Sequence, residues 1–422
     1  MNLMPRMLSK GSFLKKLAIS ERGNVLILMG LSMPILVGLA GLGTDTIQWT
    51  LMKQQLQRSA DSAALNGAFA KAQAANASVN ANLDLNRTLT AFSGVGVTVQ
   101  NAPATGAYAG NVRAVRVALT YKKDLPFSSL FLATAPTISV ESTAAVLNNG
   151  DYCVISLEKS TSTGVTFSGN STVNLGCGVA TNSVGNAAVL AAGSTTVLAS
   201  PVVAVGIIPA SNNFQTGTKL ISRSMPQRDP FAHLADPTSS IPNPCNGGNV
   251  NIGPNTSQTI NPGCYSSINV KGNLTMKPGI YYIKGGNFST SSQSNITAIG
   301  VTIILTGDGT SIGNVDMNGG AKIEMSATTS GIYQGVLFYK DRDASSTYND
   351  VFNGGASGSF LGAIYMPSQT VTFSGNSTFT TDCLQLVARN IVLTGKSTIT
   401  NECPPTGTAK DNFTGIQVRL VG

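Results

Sequence analysis

The octapeptide VTFSGNST occurs twice in this chain, at residues 165–172 and 371–378. A related segment, IVLTGKST, starts at Ile391, twenty residues after the second copy. Each of the three begins on Val or Ile and reaches a cysteine twelve residues on, at Cys177, Cys383 and Cys403. A period of this length with strand and turn content is the signature of one coil of a β-solenoid. A single coil cannot bury its own apolar side, so coils stack. Stacked parallel strands lie about 4.8 Å apart, and a disulfide needs Cα atoms about 4.4–6.8 Å apart. Cysteines on successive coils are therefore within bonding reach. The expected pairs are Cys383–Cys403 and, by similar proximity, Cys153–Cys177 and Cys245–Cys264.

The surrounding composition agrees. From about residue 148 short β-branched runs alternate with Gly, Asn, Ser and Thr, as in NITAIGVTIILTG and GVLFYK. This predicts a β-solenoid, parallel β-helix-like, over 148–405, followed by a tail at 406–422. The alternative is a β-sandwich, which leaves the period unexplained. Residues 210–262 read as a Pro-rich connector running over the surface, because MPQRDPFAHLADPTSSIPNPC holds five prolines and little periodicity.

The front of the chain is different. Residues 1–22 carry Arg6, Lys10, Lys15, Lys16 and Arg22 against Glu21 alone. Residues 23–44 carry no charge. As a helix they span about 33 Å, enough for a bilayer core of about 30 Å, and Pro34 is tolerated in a spanning helix. The basic lead places the N-terminus in the cytoplasm and the rest outside. A cleaved signal peptide, with Gly38-Leu39-Ala40 as its site, is the competing reading; the length of the lead and the helical pattern beyond the span favour an uncleaved anchor. Past the span, Met52, Leu56, Ala60, Ala63 and Gly67 fall on one narrow helical face. Either this face packs on the protein's own domain or it meets a neighbouring membrane helix or another protein component. Residues 45–147 read as that helix plus a small α+β unit. It has a second helix at 82–92, strands at 95–100, 114–121 and 137–145, and an apolar connection, LPFSSLFLATAP. The whole is thus α+β with an all-β majority.

All six cysteines follow the span, which suits disulfides in an oxidising compartment. They form no metal-ligand spacing. Half of the net charge of +8 lies in the 22 residues ahead of the span, and no basic stripe with interleaved aromatics follows, so a nucleic-acid partner is not expected. Asp308, Asp316, Glu324, Asp341, Asp343, Asp350 and Asp382 show no paired-carboxylate motif, and His233 has no nucleophile beside it. No enzyme, cofactor or metal is expected.

The stretch ERGNVLILMGLSMPILVGLAGLGTDTIQWTLMKQQLQRSADSAALNGA, residues 21–68, resembles the N-terminal segment of TadG-like proteins of Flp pilus assembly (tight adherence, Tad). The matching positions are Arg22, Gly23, Pro34, Asp45, Trp49, Leu56, Gln57, Ala60, Asp61, Ala63, Ala64 and Leu65. CGVATNS, PGIYYIKGGNF and GAIYMP resemble the C-terminal halves of some of the same proteins. Two departures matter. The stretch at Asp343 lacks the apolar strand and D-x-S-x-S of a von Willebrand A metal site. Leu28 stands where pilin-type processing at Gly23 needs Glu, which argues against a pilus subunit. The resemblance implies a single-pass protein of a bacterial inner membrane, its bulk in the periplasm, serving as an accessory or anchoring component beside other pilus-assembly or secretion components. An exported adhesin or glycan-binding solenoid is the alternative.

Overall fold

The computed structural model describes residues 21–170, 172–307, 311–345, 349–354, 357–376, 383–396, 398–399 and 413–422. The basic lead at 1–20, Cys403, Asp308 and Asp382 lie outside these. The chain divides into two compact units, residues 1–146 with 418–422, and residues 147–417.

The first unit begins with one continuous helix, α1, Glu21–Ala72, with Pro34 inside it. A second helix, α2, is Ala77–Thr88, starting five residues before the sequence pattern placed it. The reason is Asn76, whose side chain accepts from Val79 N at 3.1 Å and caps the helix. Three strands follow: β1 Gly96–Gln100, β2 Ala114–Lys122 and β3 Thr137–Ser156. β2 pairs antiparallel with both others. Strict alternation buries Val115, Val117, Leu119 and Tyr121 of β2 with Ile138, Val140 and Ala144 of β3. α1 packs on β2 and α2 through Ala60, Ala63, Ala64, Gly67 and Ala68. A Cβ on Gly67 would lie 3.0 Å from Val115 Cγ1 and 3.3 Å from the Ala77 carbonyl, so a larger residue there would push the elements apart by a few tenths of an ångström. The face of small residues is therefore taken by the protein's own unit.

The second unit is a parallel β-solenoid. Among the described residues its strand pairings are all parallel, which excludes the β-sandwich. Residues 371–376 pair with 391–396 one for one, Val371 with Ile391 and Gly375 with Gly395. On its other side Ile391 pairs with Val165 and Leu393 with Phe167. The two identical octapeptides thus sit on either side of the related third segment. Each strand turns its alternate apolar residues, such as Val165, Phe167, Val371, Phe373, Ile391 and Leu393, into one continuous core.

This stacking gives the chain an order the period alone does not show. From Val154 the coils run outward through Val179 and Val202 to Leu220. The chain then returns to the far end and climbs from Cys264 through Tyr282, Ile304, Tyr339 and Tyr365. Its last coil docks on the first, Leu386 pairing with Val154. The spacing between paired coils varies from sixteen residues (Ser257 to Asn273) to thirty-five (Asp316 to Val351), so the twenty-residue period is local. Only the strands carry register, and turns absorb insertions cheaply.

The connector is shorter than the proline content indicated. Leu220–Ile221, Asn249–Ile252 and Ser257–Ile260 are coil strands. Between them residues 222–248 form a strap across one sheet, with Phe231 and Leu234 buried against Tyr339 and Tyr365. The C-terminus is not a free tail either. Phe413 is buried in the same cluster, and Thr414–Leu420 is a strand. At its end Val421 N donates to the Thr143 carbonyl at 2.8 Å.

Candidate functional site

The motif positions that matter most lie where α1 leaves its uncharged stretch. Asp45, the first charged residue after it, is only 1% exposed. Its Oδ2 accepts from the backbone N–H of Phe127 (3.0 Å) and Ser128 (2.6 Å), while Oδ1 has no hydrogen-bond partner among the described residues. One turn earlier, Gly41 leaves room for the Phe127 ring: a Cβ there would lie 2.1 Å from Phe127 Cδ1. One turn later, Trp49 Nε1 donates to the Lys123 carbonyl at 3.3 Å. Gln57 Nε2 donates to Asp61 Oδ1 (2.8 Å) and to the Glu141 carbonyl (3.0 Å). Leu56, Ala60, Ala63 and Ala64 are fully buried and Leu65 is half-buried. Gly41, Asp45 and Trp49 thus clamp the connection between β2 and β3, and the alanines seat the helix on the sheet. Arg22 and Gly23 lie in the first turns of the helix, and Pro34 in its exposed stretch.

The helix is long and apolar enough to cross a membrane. Leu31, Ile35 and Leu39 each expose more than 60% of their surface, as a lipid-facing segment would.

The solenoid holds other polar clusters. Cys153 is bonded to Cys177 across successive coils with Cα atoms 5.9 Å apart. Cys245 is bonded to Cys264, 5.0 Å apart, tying the strap to the far end. Cys383 is also in a disulfide; its expected partner, Cys403, lies outside the described residues. Arg342 pins the middle of the strap, donating to the carbonyls of Phe231 (2.6 Å) and Leu234 (2.8 Å) and to the hydroxyls of Tyr365 and Tyr339. Tyr365 in turn donates to Asp229 at 2.8 Å. Burial, and next Asp229, push the Tyr365 hydroxyl far above its ordinary value.

Of the carboxylates singled out in the sequence, Asp316 and Glu324 are exposed. Asp341 and Asp343 converge with Asp236, but Asp341 accepts from Thr306 Oγ1 and Asp343 N, both at 3.1 Å. Asp236 caps the turn at Thr238. His233 is exposed. Asp350 is different: it is fully buried and paired with Lys340, Nζ to Oδ2 2.9 Å. Nζ also donates to Asn314 Oδ1 at 2.8 Å, and Asp350 Oδ1 accepts from Val315 N at 2.8 Å. Burial pulls the Lys340 amine down and pushes the Asp350 carboxyl up, each against the other's charge. Neither this pair nor Arg342 shows in the sequence as a spacing, because each partner is brought in by the winding of the coil.

The comparisons with known proteins bear on the first unit. Residues 23–75 match the model of the Tad family, described as Flp pilus-assembly TadE/G-like. The match spans about an eighth of the chain and covers α1 with its clamp, bearing out the resemblance read from residues 21–68. No curated protein and no solved structure matches the chain.

Proposed function

We propose that this protein is a membrane-anchored, non-catalytic component of Flp (Tad) pilus assembly and secretion. The observation that carries the reading is a coincidence of boundaries. The family match over residues 23–75 covers one helix that is first apolar and exposed, then docked on its own unit by Asp45, Trp49 and the buried alanines. Such an arrangement transmits position from a bilayer to a folded unit without chemistry. The proposed setting is a bacterial inner membrane, with the N-terminus cytoplasmic and the solenoid periplasmic, where disulfides persist. There the solenoid serves as a spacer or docking surface for other assembly components.

The test is in-cell crosslinking followed by purification from membranes. Recovery of pilus-assembly or secretion components is expected. Recovery of none of them overturns the assignment, and a reporter fused after Gly422 that is active only in the cytoplasm overturns the topology.

A further inference from the structure

The connection clamped by Asp45 has an unusual construction. From Leu125 to Val140 the chain carries no charge. Residues 125–132 nevertheless form a tight turn: Ser129 N bonds the Leu125 carbonyl at 3.0 Å, and Phe131 N and Leu132 N bond the Ser128 carbonyl at 3.0 and 2.8 Å. Leu125 and Ser128 point inward and are buried. Leu130, Phe131 and Leu132 are left 75%, 66% and 45% exposed. An ordered turn that holds three large apolar side chains outward invites a partner, since water disfavours such a patch.

Its position says what it binds. The turn is fixed to α1 at Gly41 and Asp45, where the uncharged run ends. That run is about as long as a bilayer core is thick, so the turn lies level with the membrane boundary. Val37, one turn before Gly41 on the same side of the helix and 53% exposed, continues the apolar surface into the uncharged run. Trp49 and the exposed Lys122 and Lys123 stand on the other side, and these are the residue types that populate the headgroup zone.

We infer that the turn at residues 125–132 is a second membrane contact, inserting Leu130, Phe131 and Leu132 into the interfacial lipid of the bilayer that α1 crosses. Two attachment points fix the rotation and tilt of the first unit on the membrane, where a lone helix leaves it free to swivel. The inference rests on the membrane-anchor reading of α1, and the test separates the two.

The full-length protein is reconstituted in vesicles of phosphatidylethanolamine and phosphatidylglycerol, labelled with a lipid-soluble carbene photoprobe, digested and mapped by mass spectrometry. Labelling of 125–136 is expected to exceed several-fold that of Val112, an equally exposed apolar residue of the same unit (73%). It is expected to fall several-fold in Leu130→Ser/Phe131→Ser, with labelling of 28–44 unchanged. If 28–44 is labelled and 125–136 is no higher than Val112, the inference is overturned while the anchor stands, and the turn is free for a protein partner. If neither is labelled, both fail. Because the substituted side chains are exposed, the variant keeps its fold, which circular dichroism checks.

Discussion

In the first unit, one helix meets one sheet through Ala60, Ala63, Ala64 and Gly67, and a single carboxylate, Asp45, holds the turn at 127–128. In the solenoid, Val371, Thr372, Phe373, Ser374 and Gly375 each have a counterpart one coil away, and Ile391–Leu393 repeat the relation with Val165–Phe167. The first unit depends on contacts that occur once. The second depends on contacts that recur along the stack, so most losses there leave equivalent ones behind. The exceptions in the solenoid are its non-repeating parts: a buried ion pair, the inter-coil disulfides and the strap. The single tryptophan, Trp49, lies in the first unit. Its emission therefore follows that unit, while the far-ultraviolet β signal follows mainly the solenoid.

The largest effect is expected where the solenoid abandons repetition. Lys340→Met leaves Asp350 buried without its cation, and removing one partner of a buried pair costs about 3–5 kcal/mol. Urea denaturation should show the β transition move to lower denaturant while the Trp49 transition stays. Lys340→Met/Asp350→Leu should recover most of the loss, because an apolar pair avoids the cost of burying charge. If the single substitution is silent, the pair is not a keystone and the contrast between the units weakens.

Next comes the covalent link between coils. Cys153 and Cys177 close a loop of sequence separation 24, and such a crosslink stabilises by about 3 kcal/mol through the unfolded chain. Cys153→Ala/Cys177→Ala should therefore lower the β transition by roughly that amount. All six cysteines lie beyond the first unit. Reduction of the wild type should accordingly shift the β signal and leave Trp49 emission in place. A matching shift in both signals would show that the units unfold together.

The first unit should respond to the loss of one carboxylate. Asp45→Ala strands the backbone N–H groups of Phe127 and Ser128, and unsatisfied buried donors cost about 1–3 kcal/mol. The Trp49 transition should fall by about 2 kcal/mol, with Asp45→Asn, which keeps an acceptor, losing less. The β transition should not move.

What could be read in advance follows the same division. The stacking of 371–376 on 391–396 is legible because residues of like kind fall at equivalent places, Val371 with Ile391, Phe373 with Leu393 and Gly375 with Gly395. The long apolar helix is legible from an absence of charge. Coil order was not. Three copies of one pattern do not say that the last coil closes on the first, and the strap that permits it is irregular, with Arg342 reaching backbone carbonyls that carry no side-chain signal. Asp45 was visible as a motif position, but its partners are also backbone groups. In the sequence the apolar LPFSSLFLATAP is a connection, and only its tight turn reveals which side chains it presents.

The smallest effect tests the repeating part directly. Polar side chains stack between coils on the solenoid surface: Ser267 Oγ donates to Asn249 Oδ1 at 2.9 Å, and Asn273 Nδ2 donates to Ser257 Oγ at 3.0 Å. These bonds are exposed, so water replaces a lost partner, and surface substitutions of this kind stay within about 0.5 kcal/mol. Asn249→Ala and Asn273→Ala should each leave the β transition nearly unmoved, and the two together should add without coupling because they lie in different strands and share no partner. The backbone ladder between Asn249–Ile252 and Ser267–Val270 remains whole in either variant and holds the coil in register. A loss of several kcal/mol from either one would mean that the side-chain stacks, and not the ladder with its apolar core, hold the coils together. The solenoid would then depend on single contacts as much as the first unit does.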